Sequence, residues 1–210
     1  MDRTPVKAIL WDFGDTLADE RWMWAPLAGQ PDWSGLYRKH CGAGDLGSRW
    51  NRGLVTARDV AADLAAMMGV GWEATLEHMR ACCREVQVYP RVFAFVDACT
   101  APQAIVTVNC DLFSEVVAPE LGLAARFDTI VTSWEEGAED KAALCDIAMA
   151  RLGLTDRIEC LLVDNRAENV AAWRALGGSA YHFIGEQAFV DQLAPALARL
   201  TGGSLEPPWP

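Results

Sequence analysis

The chain contains 210 residues, of which 51% are hydrophobic and 22% are charged, and this composition excludes an intrinsically disordered protein. Its 29 acidic residues outnumber its 18 basic residues, so the net charge is −11. Because the sequence contains no basic patch, we expect neither a nucleic acid nor a membrane as a partner. It also lacks a recognisable targeting segment and a CxxC pair among its seven cysteines, so we expect a cytoplasmic protein without a zinc cluster or disulfide framework.

Five short apolar runs predict buried β-strands, because each run is continuous and most lead into polar residues. They cover residues 6–12, 104–108, 129–132, 160–163 and 180–184. A helical pattern follows each of the last four runs, at residues 111–120, 141–152, 168–176 and 186–200. Strands that alternate with helices predict βαβ units, and therefore an α/β fold with a doubly wound parallel sheet. Ligands of such sheets bind at the carboxyl ends of the strands.

Residues 18–89 interrupt this alternation with helical patterns alone. Thr56 is a candidate N-cap, and the residues behind it recur at helical spacing: Val60, Leu64, Met67 and Met68. A second apolar stripe begins after Gly71, so we expect two helices that bury both stripes as a hairpin. We therefore predict an α/β core formed by residues 1–17 and 90–210, an all-helical insertion over 18–89, and a loose tail over the last ten residues.

Polar residues follow the apolar runs at the positions where a parallel sheet would bring them together. The side chains concerned are Asp12, Thr107, Asn109, Lys141, Asp164 and Asn165. A carboxylate held at the end of a strand can attack phosphorus or an activated carbon, or bind a hard cation. These residues predict one site only if their strands are parallel and adjacent.

The same residues resemble the motifs of the haloacid dehalogenase (HAD) superfamily of hydrolases. Its first motif, Asp-x-Asp-Gly-Thr-Leu after an apolar strand, is similar to residues 12–17, which read Asp-Phe-Gly-Asp-Thr-Leu. Its second motif is similar to Thr107 to Asn109, its Lys to Lys141, and its acidic pair to Asp164-Asn165. The likeness covers nearly the whole chain and implies a Rossmann-like core with a helical cap inserted between the first two motifs.

The resemblance also implies a role for each matching residue. Asp12 would be the nucleophile that forms an aspartyl ester, and Lys141 would neutralise charge on it and on the transferred group. Thr16, Thr107 and Asn109 would contact the transferred group. Mg²⁺ would be held by Asp12, the backbone carbonyl of Gly14 and the Asp164-Asn165 pair. Arg21 and Arg166 lie near enough in sequence to reach the substrate at the mouth of the site.

Two departures from the family pattern bear on activity. The second Asp of motif one, which in family phosphatases protonates the leaving group, is Gly14 here. Asp15 takes its place only if its side chain points into the site, whereas neighbouring residues in an extended chain point in different directions. The position of the direct metal ligand is Asn165, whose uncharged amide should weaken a Mg²⁺ site.

Three interpretations remain open. The preferred one is a Mg²⁺-dependent phosphatase that acts on a small-molecule phosphate, either one with a good leaving group or with Asp15 as the acid. The second is a metal-independent carbon–halogen hydrolase, for which Arg38, Arg49 or Arg52 of the cap would bind a substrate carboxylate. The third is a catalytically weak family member that binds a ligand or another protein. The chain could act as a monomer or a homodimer.

Overall fold

The core is a five-stranded parallel β-sheet in a computed structural model that describes residues 6–30, 32–42 and 44–197. The strands are β1 (Ala8–Trp11), β2 (Gln103–Thr107), β3 (Thr129–Thr132), β4 (Cys160–Asp164) and β5 (Ser179–His182). Their order across the sheet is β3-β2-β1-β4-β5, and every neighbouring pair is parallel. The predicted α/β class and doubly wound sheet are therefore confirmed.

The burial of the strands explains why some of them have stronger apolar runs in the sequence than others. Every residue of β1, β2 and β4 is buried, because helices cover both faces of the middle of the sheet. In contrast, β3 is buried over only its second half, and β5 contains no buried residue. The two runs with the weakest apolar pattern are thus the two edge strands.

The segment between β1 and β2 is helical, as predicted. It begins with a 3₁₀ turn (Glu20–Trp24), and its helices are α1 (Trp33–Tyr37), which continues as a π-helical turn (Arg38–Gly42), α2 (Asp45–Asn51), α3 (Ala57–Met68) and α4 (Trp72–Arg84). Thr56 caps α3 through a capping box, in which its Oγ1 accepts the Asp59 N–H at 3.3 Å. The predicted burial of Met67 is wrong: the buried face of α3 includes Ala61 and Ala65, and Met67 lies at the edge of that face and is 53% exposed.

The remaining helices lie outside that insertion. They are α5 (Pro90–Ala98), which leads into β2, then α6 (Ala118–Glu120), α7 (Ser133–Glu136), α8 (Lys141–Arg151) and α9 (Ala167–Ala175), which lie between the later strands, and α10 (Glu186–Ala188) and α11 (Ala194–Leu197), which follow β5. The patterns predicted at 111–120 and 186–200 each contain a π-helical turn, Phe113–Val117 and Phe189–Leu193. Residues 198–200 and the predicted loose tail lie outside the described residues. Among the helices of the described part, none combines the length and apolar character of a membrane span.

Hydrogen bonds connect the helical insertion to the rest of the chain at several places, of which two lie next to the sheet. Where the chain leaves and returns, the Asp19 N–H donates to the Gln87 carbonyl and the Tyr89 N–H donates to the Leu17 carbonyl, each at 2.9 Å. Farther along the chain, the buried Asp111 carboxylate accepts Trp50 Nε1–H and the Ala57 N–H, both at 2.7 Å. We call this second connection the Asp111 junction; it places α2 and the start of α3 over the carboxyl end of β2. The division into a core and a separate cap domain stays a prediction.

Candidate active site

The order of the strands brings the chemistry-bearing residues to one edge of the sheet. Strands β2 and β4 flank β1, so Asp12 at the end of β1 lies between Thr107 at the end of β2 and Asp164 at the end of β4. Lys141 is the first residue of α8, where the Asp140 side chain accepts the Ala143 N–H at 2.8 Å and fixes the start of the helix. The predicted convergence of the motifs is therefore present in the fold.

Lys141 joins the two buried carboxylates of this edge. Its Nζ donates to Asp12 Oδ1 at 2.6 Å and to the Val106 carbonyl at 2.8 Å, and it lies 3.4 Å from Asp164 Oδ2. The Lys141 and Asp12 side chains are only 7% and 12% exposed, and that of Asp164 is fully buried. We call Asp12, Lys141 and Asp164 the acidic cluster, because two carboxylates share one ammonium.

Burial and the shared ammonium together shift the proton affinities of Asp12 and Lys141. Burial raises the pKa of Asp12, and Asp164 raises it further, while Lys141 opposes the shift. Burial lowers the pKa of Lys141, but the charges of Asp12 and Asp164 outweigh it, so its pKa lies above the usual value. The pKa shift of Asp12 comes mainly from burial, and that of Lys141 comes from the two carboxylates, whose combined charge exceeds that of the single ammonium. A cation brought next to the cluster would be stabilised by this excess negative charge.

The residues after β4 hold Asp164 in place. Its carboxylate accepts the Arg166 N–H at 2.8 Å and two hydrogen bonds from Asn169 Nδ2, at 3.1 and 3.0 Å. Asn165 follows directly, and its side-chain Oδ1 is buried without a hydrogen-bond partner in the described residues. Such an oxygen needs a donor or a cation to offset its desolvation.

Two cavities meet above this edge. The smaller has a volume of about 190 Å³ and is lined by Asp12, Gly14, Thr107, Lys141, Asn165 and Asn169, among others. The larger, of about 780 Å³, has aromatic walls from the insertion that include Trp22, Trp24, Tyr37 and Trp50. Six residues line both: Glu20, Trp22, Val108, Asn109, Glu139 and Arg166. The small cavity can therefore hold a reacting group while the large one holds the rest of a molecule.

The predicted contacts to the transferred group are placed unequally. Thr107 lines the smaller cavity, and Asn109 lines both cavities while its backbone N–H donates to Ser133 Oγ at 2.9 Å. Thr16 is fully buried, lines neither cavity, and has no hydrogen-bond partner for its Oγ1 among the described residues. The roles assigned to these three residues stay predictions.

The two predicted substrate-binding arginines also differ. Arg166 is exposed and lines both cavities. Arg21 lines the larger cavity, but its guanidinium forms a salt bridge with Asp19. Arg166 can therefore reach the smaller cavity, whereas Arg21 would first have to break its salt bridge with Asp19.

The carboxylate of Asp15, the predicted substitute for the missing acid, is engaged with the backbone of the helical insertion. Asp15 has a φ of 51°, in the left-handed region that usually favours glycine. Its carboxylate accepts the Glu20 N–H at 3.0 Å, and the residue lines the larger cavity and not the smaller. Asp15 thus holds the backbone of Glu20.

Glu20 is the site residue that sequence reasoning missed. A Cβ placed on Gly14 would lie 3.3 Å from Glu20 Cδ and 3.5 Å from Glu20 Oε2, so the Glu20 carboxyl occupies the volume beside the empty position. Partial desolvation raises the pKa of Glu20, and the charge of Asp15 raises it further, while Arg166 lowers it. The sequence did contain one indication of this change: Gly14 and Asp15 stand in the reverse order to the Asp and Gly of the family motif.

The residues at this edge fit Mg²⁺, the metal that the resemblance implies. In the described part of the chain, no three His, Cys, Asp or Glu side chains form a group that could hold a metal ion. The candidate ligands are instead a carboxylate, a backbone carbonyl and an amide oxygen, from Asp12, Gly14 and Asn165, which all line the smaller cavity. The unpartnered Asn165 Oδ1 and the excess charge of the acidic cluster both suit a hard cation.

No family model and no curated protein sequence matches this chain. Solved structures do match. A predicted HAD-like family hydrolase from Porphyromonas gingivalis has a TM-score of 0.69 at 18% identity, over 94% of this chain and 98% of that chain. An Asp-to-Ala variant of a HAD family enzyme from Bacteroides thetaiotaomicron, in complex with magnesium and inorganic phosphate, has a TM-score of 0.67 at 16% identity, over 86% of this chain and 96% of that chain.

A third solved structure represents a different chemistry. The L-2-haloacid dehalogenase from Xanthobacter autotrophicus has a TM-score of 0.64 at 19% identity, over 94% of this chain and 86% of that chain. At such low identities the likeness establishes the fold and leaves the reaction open. With its strand order, its helical insertion after β1 and these structural matches, the chain has the fold of the haloacid dehalogenase superfamily.

Proposed function

We propose that this protein is a Mg²⁺-dependent phosphatase that hydrolyses a small-molecule phosphate ester through an aspartyl-phosphate on Asp12. The observation that carries the proposal is the acidic cluster, in which Asp12 and Asp164 share the single ammonium of Lys141 beside the unpartnered Asn165 Oδ1. A phosphate dianion approaching two buried carboxylates is repelled unless a cation accompanies it. Magnesium would supply that charge and would polarise the phosphoryl group.

The chain's own residues would carry out the covalent chemistry. Lys141 binds Asp12 Oδ1 at 2.6 Å, which orients the carboxylate toward the smaller cavity that it lines. A carboxylate oxygen of Asp12 forms a bond to phosphorus as the bond to the ester oxygen breaks, and water later releases phosphate. Lys141 offsets the negative charge that gathers on Asp12 and the phosphoryl oxygens. Thr107 and Asn109, at the end of β2, would donate hydrogen bonds to those oxygens.

The two cavities fit a substrate with a phosphate and an organic remainder. The smaller cavity, at about 190 Å³, has room for a phosphoryl group beside Asp12. The larger cavity has aromatic walls and a volume of about 780 Å³, which suits a small metabolite and not a polymer. Arg166, at the boundary, adds positive charge for an anionic substrate.

A carbon–halogen hydrolase is the second candidate, and one observation favours it. Arg38 is the only one of the three predicted carboxylate-binding arginines that lines the larger cavity, and a halide leaves without a proton, so Gly14 would be no defect. The buried charge of Asp164 opposes this candidate. The resemblance to the family implies uncharged polar residues at that position in its carbon–halogen hydrolases. Arg38 also already lies 5.2 Å from the Trp24 ring centroid as a cation–π partner.

One paired assay distinguishes the candidates. The purified protein is tested with 4-nitrophenyl phosphate and with chloroacetate, each in Mg²⁺ and in EDTA, with Asp12→Asn as the control. Phosphate release that requires both Mg²⁺ and Asp12 supports the phosphatase. Chloride release that persists in EDTA would replace it with the halogen hydrolase. Absence of both activities would contradict both enzymes and favour the catalytically weak ligand-binding protein.

A further inference from the structure

The turn after β1 contains an exchange of two residues that changes where a carboxyl group can enter the site. Gly14 stands where the superfamily motif has its second Asp, and Asp15 stands where that motif has Gly. Position 14 faces the smaller cavity, whereas position 15 lines only the larger one. The exchange therefore removes a carboxyl group from the reaction site and leaves volume there.

The Glu20 carboxyl fills that volume. The nearest non-neighbouring atoms to a Cβ on Gly14 all belong to Glu20: Cδ at 3.3 Å, Cγ at 3.4 Å and Oε2 at 3.5 Å. Glu20 lines both cavities, so its carboxyl stays accessible to a substrate that spans them.

The second half of the exchange fixes Glu20 in place. The left-handed backbone of Asp15 turns its carboxylate toward the insertion, where it accepts the Glu20 N–H at 3.0 Å. The residue before Glu20 is held as well, because the Asp19 N–H donates to the Gln87 carbonyl at 2.9 Å. Gly14 thus provides the space for Glu20, and Asp15 provides its anchor.

We propose that Glu20 is the catalytic general acid and base of this protein, in place of the missing Asp at position 14. The proposal rests on the phosphatase function proposed above. As the bond from phosphorus to the ester oxygen breaks, the protonated Glu20 carboxyl gives its proton to that oxygen, and the alcohol leaves. Glu20 then takes a proton from water as the water oxygen bonds to phosphorus. The bond from Asp12 to phosphorus breaks, which releases phosphate and restores both side chains.

The other carboxylates near the site are engaged elsewhere. Asp15 holds the Glu20 backbone, as described above. Glu139 lines both cavities, but it accepts hydrogen bonds from Ser48 Oγ at 2.7 Å and from Asn51 Nδ2 at 3.3 Å. Asp164 is fully buried and has its oxygens on Asn169 and Arg166. Glu20 is therefore the carboxyl best placed to reach a leaving group.

The test uses two esters that differ in how much they need an acid. 4-Nitrophenolate leaves readily without a proton, whereas the alkoxide of benzyl phosphate does not. In Glu20→Gln we expect kcat/KM to fall by about 10²- to 10⁴-fold for benzyl phosphate and by less than about tenfold for 4-nitrophenyl phosphate. Glu139→Gln is the matched control, because Glu139 also lines both cavities; its ratio of the two kcat/KM values should equal that of the wild type.

A transfer of the carboxyl group provides a second readout. In Glu20→Ala with Gly14→Asp and Asp15→Gly, the acid returns to position 14 and the space that Glu20 occupied is free. We expect the triple variant to regain at least part of the benzyl phosphate rate that Glu20→Ala loses. Equal losses for both esters in Glu20→Gln, or no loss for benzyl phosphate, would overturn the role of Glu20 while leaving the phosphatase intact. No hydrolysis of either ester by the wild type would overturn both.

Discussion

Two buried carboxylate sites in this molecule differ in how their charge is satisfied. At the Asp111 junction, the carboxylate accepts hydrogen bonds from Trp50 Nε1 and from the backbone N–H groups of Ala57 and Leu112, at 2.7, 2.7 and 2.9 Å. In the acidic cluster, Asp12 has one ammonium donor, which it shares with Asp164, and faces a cavity. The first site is saturated with donors from its own chain, whereas the second retains capacity for a cation or an electrophile.

This difference means that the Asp111 junction contributes to stability and the acidic cluster to reactivity. A carboxylate surrounded by fixed donors stabilises the packing of the elements that supply them. A carboxylate that shares its only counter-charge keeps a reactive lone pair, and the charge imbalance opposes folding. Substitution of the carboxylate Asp12 should therefore lower activity and not stability, whereas substitution of Asp111 should lower stability and not activity.

The largest expected effect is the loss of activity in Asp12→Asn. Removal of the nucleophile should lower kcat/KM for 4-nitrophenyl phosphate on the order of 10⁴- to 10⁶-fold. The free energy of unfolding, measured by urea denaturation, should be equal to or higher than that of the wild type, since one of two carboxylates that share an ammonium is gone. A destabilised Asp12→Asn protein would contradict the comparison.

Lys141→Met should reduce both quantities. It leaves Asp12 and Asp164 without their shared cation in a buried place, and removing one partner of a buried ion pair costs about 3–5 kcal/mol. Activity should also fall, because charge on the transferred group is no longer offset. Urea denaturation with and without Mg²⁺ provides the measurement, and the metal should restore part of the lost stability. A stability equal to the wild type would mean that the carboxylates are neutral in the folded state.

Asp111→Asn should have the opposite profile to Asp12→Asn. The amide keeps one acceptor oxygen and turns a donor toward either Trp50 Nε1 or the Ala57 N–H, so a buried donor loses its partner. We expect a loss of about 2–3 kcal/mol in the free energy of unfolding. The kcat/KM of the folded fraction should change far less than in Asp12→Asn. A loss of activity without a loss of stability would place Asp111 in the chemistry and not in the packing.

The smallest expected effect is that of Thr56→Ala. Thr56 caps the same helix whose first N–H donates to Asp111, but its side chain is at the surface. Loss of the cap should cost about 1 kcal/mol of stability and should leave kcat/KM unchanged. A double-mutant cycle with Asp111→Asn tests whether the two contacts stabilise the start of α3 independently. Strict additivity would show that they do.

The core of this fold could be predicted because buried strands require apolar residues, which are visible in the sequence. Strands β1, β2 and β4 are covered on both faces and are therefore continuous apolar runs that end in polar residues. The convergence of Asp12, Lys141 and Asp164 followed from that pattern together with the motif spacing. The order of the strands was not predicted, since apolar runs carry no information about their neighbours.

The rest of the site depends on the directions in which side chains point, and these directions cannot be inferred from the residue types. Glu20 enters the smaller cavity because a 3₁₀ turn begins there and Asp15 adopts a left-handed backbone. Neither feature has an apolar period, and Glu20 itself is exposed at the mouth of the cavity, so no burial pattern marks it. Met67 fits the helical stripe of α3, but the buried face of the helix is shifted toward Ala61 and Ala65, which leaves Met67 exposed. In both cases the fold, and not the residue type, determines where the side chain lies.

The proximity of Gly14 and Glu20 has a consequence for how these residues can be exchanged. A side chain at position 14 would meet the Glu20 carboxyl at 3.3 Å, so restoring the superfamily Asp there alone would crowd two carboxyl groups into one volume. Restoring Gly at position 15 alone would release Glu20 from its anchor. Residues 14, 15 and 20 are therefore coupled, and we expect replacement of all three together to be tolerated better than replacement of residue 14 or 15 alone.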